Sequence, residues 1–170
     1  KETHETMTVL AMILAHDKNG GIGKDNKIPW KCKSDIDFFW NTIGDHTVIV
    51  GRKTWESAKN YFLKRRPTAK HIIVTSKPDN QETENCIFVK SIEEALSFND
   101  NLMFICGGSK VYDSVKNYVN VAIETVIDGE YECDSYAPKW LNDMTPFVEF
   151  DLLTNEEQPK AHVYIRYWSK

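Results

Sequence analysis

The amino-acid sequence predicts an α/β fold: a mixed, mostly parallel eight-stranded sheet with about four flanking helices and a C-terminal antiparallel hairpin. The 170 residues, 41% of them hydrophobic, suffice for one domain with its own core. Apolar, β-branched runs alternate with helical patterns, which is typical of parallel sheets. We assign the domain to residues 7–170, and we interpret the polar residues 1–6 as a leader or an expression remnant.

The individual elements follow from hydrophobic periodicity. Apolar runs rich in β-branched residues predict strands at residues 8–16, 47–50, 71–75, 87–89, 102–106 and 120–127. Apolar side chains at helical spacing predict helices at residues 34–42, 54–62, 91–98 and 109–116. Strand-like residues 147–153 and 162–168 are joined by a polar loop without a helix, so we expect them to form the edge hairpin.

Composition and charge exclude several classes of function. Lys and Arg number 21 against 25 Asp and Glu, and the net charge of -4 lacks the basic surplus of a general nucleic-acid-binding protein. The four cysteines have neither zinc-site spacing nor the context of a secreted disulfide framework. No apolar run approaches membrane-spanning length. We therefore expect a cytoplasmic protein that binds no nucleic acid, membrane or metal.

Three predicted strands end in similar polar clusters. The clusters are Gly-Arg-Lys-Thr at residues 51–54, Thr-Ser-Lys at residues 75–77 and Gly-Gly-Ser-Lys at residues 107–110. Because the carboxyl ends of parallel strands share one edge, where α/β sheets bind ligands, we expect the three clusters to converge. Each cluster by itself is also typical of a capped turn with solvated cations.

Together the clusters predict a polyanion site. Glycines let the backbone approach a phosphate, and the free N–H groups of a helix start favour anions. Arg52, Lys53 and Ser76 could hold one phosphate through charge-assisted hydrogen bonds. Backbone N–H groups near Thr54 and residues 108–110 could hold a pyrophosphate. This arrangement suits a phosphorylated dinucleotide.

Residues 17–30 predict a flexible loop after the first strand. Gly21-Ile22-Gly23 resembles the start of a dinucleotide fingerprint, but Asn26 occupies the third glycine position and no helix follows, so a Rossmann site is rejected. The loop ends in the apolar tip Ile28-Pro29-Trp30, which suits a lid over a pocket. A long surface loop anchored by one tryptophan is the alternative interpretation.

Asp35 is the main candidate for acid–base chemistry. It follows Ser34, the predicted N-cap, and lies one turn before Phe39 at the edge of an apolar helix stripe. Partial desolvation raises a carboxyl pKa, whereas the helix dipole lowers it. The side chain could bind the paired N–H donors of a flat heterocycle and help a proton reach it. Alternatively, it is a surface acid that favours the first helical turn.

Several stretches, taken in order, resemble the dihydrofolate reductase family. The matches are GIGKDNKIPW at 21–30, Asp35, VGRKTWES at 50–57, ICGGSKVY at 105–112, and Thr125. The resemblance runs from Met7 to nearly the last residue. It implies reduction of 7,8-dihydrofolate to 5,6,7,8-tetrahydrofolate by hydride transfer from NADPH, for one-carbon metabolism and thymidylate synthesis. We expect a monomer whose partners are these small molecules.

The resemblance also implies roles for individual residues. It assigns catalysis to Asp35, Thr125 and Trp30, with Asp35 orienting the pterin and Thr125 hydrogen-bonded to the Asp35 carboxylate. The implied substrate-binding residues are Ile13, Ile28, Asp35, Ile36, Phe39, Ser57, Cys106, Tyr112 and Thr125. The implied NADPH-binding residues are Ile22, Gly23, Gly51, Arg52, Lys53, Thr54, Val74, Thr75, Ser76, Lys90, Gly107, Gly108, Ser109, Lys110 and Val111.

The sequence departs from the family pattern where the family binds the substrate's glutamate tail. Ala69 stands in place of an arginine that clasps the α-carboxylate, and Arg65, Arg66 and Lys70 are the cations that could replace it. This departure keeps open a same-fold reductase of another pterin or of a ribosylaminopyrimidine, and a non-catalytic homologue is a third interpretation. Trp40 is bulkier than usual, so we expect an unusual shape for a pocket that is an antifolate target in this family.

Overall fold

The computed structural model describes residues 8–77 and 83–169, so the leader predicted at residues 1–6 lies outside the described residues. The strands are β1 (Val9–His16), β2 (Gly21–Gly23), β3 (Thr47–Gly51), β4 (His71–Val74), β5 (Cys86–Val89), β6 (Leu102–Ile105), β7 (Val121–Ile127), β8 (Ser135–Tyr136), β9 (Thr145–Leu152) and β10 (Ala161–Tyr167). The helices are α1 (Lys33–Ile43), α2 (Arg52–Arg65), α3 (Ile92–Leu96), α4 (Ser109–Ser114) and a 3-10 helix at Lys139–Asp143.

Eight strands form one sheet in the order β5-β4-β3-β6-β1-β7-β10-β9. Neighbouring strands run parallel from β5 to β7, and β10 runs antiparallel to both β7 and β9. The last two strands therefore form an antiparallel hairpin at one edge, and the predicted mixed sheet is confirmed. β2 and β8 pair in a separate two-stranded sheet.

The two faces of the large sheet bury different helices. Phe39 of α1 and Phe62 of α2 pack on the face that carries Ala11, Ile13 and Phe104. Alternate residues of the same strands belong to a second core cluster on the other face, where they pack with residues of α3 and α4. The first face is the one on which the acid of α1 comes close to the sheet.

The observed helix boundaries differ from the predicted ones by up to three residues, and the N-termini of α1 and α2 are two of these differences. α1 begins at Lys33 with Cys32 in the extended N-cap conformation, so the prediction of Ser34 as N-cap is wrong. α2 begins at Arg52, two residues earlier than predicted, because Gly51 takes the N-cap conformation with φ -76° and ψ 161°. The apolar periodicity of each helix was visible in the sequence, but neither N-cap is held by a side-chain hydrogen bond of the kind that marks a helix start.

The loop predicted at residues 17–30 is partly ordered as a strand, which corrects the prediction of a flexible loop there. Gly21 and Gly23 pair with Tyr136 and Ser135 across the small sheet. A side chain at position 21 would meet Cys133 Sγ at 2.4 Å, so glycine is required for this close approach. A three-residue strand with two glycines shows no alternation, which is why the sequence did not indicate it. Among the described residues, none of the helices has the length and apolar composition needed to cross a bilayer.

Candidate functional site

The three polar clusters meet at the carboxyl edge of the sheet. Gly51 at the end of β3 pairs with Val74 at the end of β4. On its other side, Gly51 donates its backbone N–H to the carbonyl of Gly107, with an N···O distance of 2.8 Å. Thr75 donates to the carbonyl of Val89 at 2.9 Å, which brings the start of the β5–α3 connection, including Lys90, to the same edge. The predicted cofactor residues on four strands therefore lie side by side.

Two helices begin at this edge with little room for side chains. Gly51 and Gly108 are the N-caps of α2 and α4, and within the described residues no side chain caps either helix. A Cβ at Gly108 would meet Thr54 Oγ1 at 2.8 Å, and a Cβ at Gly51 would meet Val111 Cγ2 at 3.1 Å. Backbone N–H groups therefore face a narrow cradle of main chain, which is the arrangement that binds a diphosphate.

Cations and hydroxyls border the cradle. The Arg52 side chain is half exposed and pairs with Glu56 at 3.0 Å along the same helix. Such an exposed pair contributes little, so the guanidinium can turn to another anion. Lys53, Ser76, Lys90 and Lys110 are exposed, whereas Thr75 is buried and Ser109 is half-buried.

β2 approaches the same edge from the other face of the sheet. Ile22 is partly buried and packs against the core cluster that contains Val111 and Tyr112 of α4. Gly23 is buried at the end of β2 and accepts a hydrogen bond from the backbone N–H of Asp134 at 2.9 Å. The residues after β1 that were predicted to contact a cofactor are thus held next to the start of α4.

Asp35 lies in the first turn of α1 and is only 8% exposed. Burial raises the pKa of its carboxyl from 3.8 to about 6, and the nearby indole of Trp30 partly opposes that increase. Trp30 is itself buried and packs against Tyr131, with the ring centroids 5.5 Å apart. Its Nε1–H is close to Asp35 but has no hydrogen-bond partner within the described part of the chain. The pocket therefore holds one carboxyl that can exchange a proton near neutral pH and one buried donor beside it.

Two further predicted residues, Tyr112 near Asp35 and Cys106 near Tyr112, are buried. Burial raises the pKa of Tyr112 well above its ordinary value, and the Asp35 carboxylate adds to the shift. The Tyr112 hydroxyl donates to the carbonyl of Ile13 at 2.7 Å, so it is fixed against β1. Burial raises the pKa of the Cys106 thiol to about 12, so the thiol is neutral near pH 7.

Thr125 lies on the sheet face that carries α1. It pairs with Ala15 of β1 and follows Ile123 by two positions, so both β7 side chains lie on that face. Thr125 is 2% exposed. No hydrogen bond joins Thr125 to Asp35 among the described residues, and the predicted contact between them stays a prediction.

Apolar side chains near Asp35 remain open to solvent. Ile28 is 59% exposed before α1, and Ile36 is 46% exposed on the helix itself. Phe39, one turn further on, is half-buried and packs against Phe62 with a centroid distance of 6.2 Å. Ser57 on α2 is exposed, and its hydroxyl donates within its own helix. This apolar rim can accommodate a flat ring and an extended substituent.

The three cations considered as replacements for the missing arginine differ in their contacts. Arg66 is buried and donates to two backbone carbonyls of the turn after α1. Lys70 pairs with Asp100 at 3.2 Å. Arg65 is exposed, and its guanidinium lies 5.1 Å from the ring centre of Trp40 on α1. Arg65 is thus the cation at the rim between α1 and α2.

Sequence reasoning missed a buried charged cluster next to this site. The buried or half-buried side chains of His16, Glu124 and Arg166 hydrogen-bond across β1, β7 and β10. The buried Asp17 carboxylate beside them accepts the backbone N–H groups of Gly21 and Tyr131. A glutamate within the otherwise apolar run 120–127 was the one sign of it.

Comparison with known proteins identifies the family. The family model for dihydrofolate reductase matches residues 9–169. The chain is 31% identical over 165 residues to the dihydrofolate reductase of Bacillus subtilis (strain 168), covering 95% of each chain. It is 35% identical over 131 residues to that of Staphylococcus haemolyticus, covering 76% of each. Its structure is similar to a dihydrofolate reductase from Enterococcus faecalis complexed with NADP(H) and RAB-propyl, with a TM-score of 0.83, 27% identity and coverage of 95% of this chain and 97% of that one. The chain belongs to the dihydrofolate reductase family.

Proposed function

We propose that this protein reduces 7,8-dihydrofolate to 5,6,7,8-tetrahydrofolate with NADPH, and so serves one-carbon metabolism. The observation that carries the proposal is the buried Asp35 on the α1 face of the sheet, near a glycine-lined cradle bordered by cations. The first feature suits protonation of a heterocycle, and the second suits a phosphorylated dinucleotide. The solved relative is described as a complex with NADP(H).

The cradle fits NADPH. The free N–H groups at the starts of α2 and α4 would hold the diphosphate, since a Cβ at Gly108 would meet Thr54 Oγ1 and leave no space there. Arg52, Lys53 and Ser76 would bind the adenosine 2'-phosphate, with charge-assisted bonds as the main source of preference over NADH. When bound, NADPH supplies the hydride for the reduction.

Asp35 would bind the amino group and ring nitrogen of the pterin and promote its protonation. A carboxyl with a pKa of about 6 carries a proton in a useful fraction of molecules near neutral pH. Ile13, Phe39 and the exposed Ile36 would pack on the rings, and Trp30 would keep bulk water away from the acid. Thr125 would orient the carboxylate from β7.

The decisive assay follows NADPH oxidation at the nicotinamide absorbance band with dihydrofolate as substrate. We expect turnover that needs both compounds, and turnover with NADH that is much slower at equal concentration. Tight NADPH binding without turnover would indicate that the protein is a non-catalytic homologue. Absence of NADPH binding would contradict the proposed site.

One observation favours a second candidate, a reductase of a pterin without a glutamate tail. Ala69 is 4% exposed and presents no charge where the family holds the tail carboxylate. Dihydrobiopterin, which lacks the tail, separates the two: a strong preference for it over dihydrofolate would support this candidate. A ribosylaminopyrimidine as the better substrate would indicate the related same-fold reductase.

We also propose that the protein is a cytoplasmic monomer and an antifolate target. Its cysteines are free, and three of the four are buried, which suits a reducing compartment. The net charge of -4 supports a protein that does not bind nucleic acid. Sedimentation with and without NADPH tests the oligomeric state.

A further inference from the structure

A buried charged cluster lies at the carboxyl end of β1, on the sheet face opposite the acid. Glu124 of β7 is 3% exposed, and its two carboxylate oxygens have different partners. Oε2 lies 2.5 Å from His16 Nε2, and Oε1 accepts from Arg166 Nε at 2.7 Å. Arg166 also donates from Nη1 to the carbonyl of Met144 at 2.8 Å.

The hydrogen bonds of His16 require a proton on each ring nitrogen. Nδ1 lies 2.7 Å from the backbone carbonyl of Asp17, which can only accept. Nε2 faces the carboxylate of Glu124, whose other oxygen is bound by a guanidinium and which therefore stays charged. The imidazolium form satisfies both contacts, and either neutral tautomer breaks one of them.

Asp17 connects His16 to the loop before α1. Its carbonyl, the acceptor for His16, also accepts the N–H of Gly20 at 3.0 Å and so closes the first turn of that loop. Its carboxylate accepts the N–H of Gly21 and the N–H of Tyr131, each at 2.9 Å. The ring of Tyr131 packs on Trp30, which lies beside Asp35.

We propose that His16, held as an imidazolium between Glu124 and the Asp17 carbonyl, is a positioning residue that fixes the loop at residues 17–23 in a pH-dependent way. Loss of the proton on Nδ1 frees the Asp17 carbonyl and weakens the turn that carries Gly20 and Gly21. The same change reaches Tyr131 through Asp17, and the indole of Trp30 through Tyr131. The consequence for turnover rests on the proposed function, whereas the consequence for the loop does not.

The surrounding charges determine the direction of the pH dependence. Burial lowers the pKa of His16, but the hydrogen bonds and charges of Glu124 and Asp17 raise the pKa by more than burial lowers it, so the pKa lies above 6.5. Arg166 faces the same carboxylate from β10. A raised histidine pKa means that the stabilisation is complete below 6.5 and is lost as the pH rises through the folded-state value.

A second histidine offers a matched control. His162 of β10 lies on the same face, with Nδ1 at 2.6 Å from Asp151 and Nε2 at 3.6 Å from Glu149. It therefore has two carboxylate neighbours, but these lie on the edge strand β9, and His162 makes no hydrogen bond to the loop within the described residues.

Amide hydrogen exchange measured by NMR across pH 5.5–9, corrected for the intrinsic rate, tests the proposal. The probes are the N–H groups of Gly20, Gly21 and Tyr131, and the imidazole resonances of His16 give its own midpoint. We expect protection at these amides to fall about tenfold as the pH rises through the His16 midpoint. Protection that does not change through that midpoint would overturn the proposal.

Two variants sharpen the result. In Glu124→Gln, His16 loses its anion, so the midpoint of the loop amides should move down by about one pH unit with that of the imidazole. In His16→Gln, protection should be low at every pH, and His162→Gln should match the parent protein. A midpoint that stays in place in Glu124→Gln would contradict the role of His16, even if His16→Gln folds poorly.

For turnover, the expected result is a rise in KM for both substrates above the His16 midpoint, with little change in the pH profile set by Asp35. His16→Gln should show the raised KM at all pH values. A purely structural role of His16 would not make the KM of the parent protein change at the His16 midpoint. If the protein has no reductase activity, the exchange experiment still decides the proposal about the loop.

Discussion

Two regions of the molecule differ in how they obtain their chemistry: the carboxyl edge of the sheet with its three polar clusters, called the edge here, and the surroundings of Asp35, called the pocket. At the edge, exposed cations, helix N–H groups and glycines that follow neighbouring strands border one cradle. In the pocket, one carboxyl is 8% exposed, and its environment moves its pKa to about 6. Under the proposed function, affinity at the edge would be shared among many groups, whereas reactivity in the pocket would depend on the desolvation of one carboxyl. Substitutions should therefore have graded effects at the edge and very large effects in the pocket.

The largest expected effect is on turnover when the acid is removed. Asp35→Asn should reduce the rate of hydride transfer at pH 7 by about 100- to 10,000-fold, because an amide cannot supply a proton. In the parent protein the rate should fall about tenfold per pH unit above the Asp35 pKa of about 6, as the protonated form disappears. Single-turnover measurements across pH 5–9 test both statements.

The control lies on the same helix. The Asp37 side chain is half exposed and pairs with Lys33 at 2.7 Å, so Asp37→Asn should leave the rate and its pH profile unchanged. Equal turnover in Asp35→Asn and the parent protein would remove Asp35 from the mechanism and with it the contrast between pocket and edge.

Asp35→Asn, which should lower the rate, should raise the stability of the folded protein. A folded-state pKa raised from 3.8 to about 6 means that the parent protein loses stability as the pH rises through that window. One pKa unit corresponds to about 1.4 kcal/mol, so Asp35→Asn should raise the free energy of unfolding at pH 7 by roughly 3 kcal/mol at most. Urea unfolding of the ligand-free protein measures it, and the difference should vanish near pH 3. A variant that is less stable at pH 7 would show that the carboxylate is stabilised by its surroundings.

The sequence predicted the edge better than the pocket, for physical reasons. Glycines, hydroxyls and cations directly after apolar runs are local patterns, and sheet topology alone brings residues 51–54, 75–77 and 107–110 together. The environment of Asp35 depends on Trp30 and Tyr131, which approach only in the folded chain. The order of strands and the small β2–β8 sheet likewise depend on distant pairings. Residues that hydrogen-bond across strands, such as His16, leave almost no local pattern, and Glu124 within the run 120–127 was the one sign of this contact.

At the edge, the expected effect is smaller and specific for one phosphate. Arg52→Ala should raise the Kd for NADPH by about 10- to 100-fold, the value of a hydrogen-bonded charge, and change the Kd for NADH little. Its pairing with Glu56 is exposed and does not hold it in place. Titration calorimetry measures both dinucleotides, with the exposed Lys59→Ala on the same helix as control. An equal loss for NADPH and NADH would mean that Arg52 binds the shared part of the dinucleotide.

The smallest effect is expected at Arg65, which lies at the rim between α1 and α2. Arg65 is exposed and lies over Trp40, so a contact to a substrate carboxylate there is worth little more than an exposed ion pair. Arg65→Ala should raise the KM for dihydrofolate about two- to fivefold and leave the KM for tail-less dihydrobiopterin unchanged. The neighbouring exposed Lys64→Ala is the control, and steady-state assays with both substrates measure the ratio. An equal rise for both substrates would assign Arg65 to the packing of Trp40, because only a contact with the tail distinguishes the two. In that case, only the apolar side chains of the rim would give the substrate small, shared contributions to binding like those expected at the edge for the cofactor.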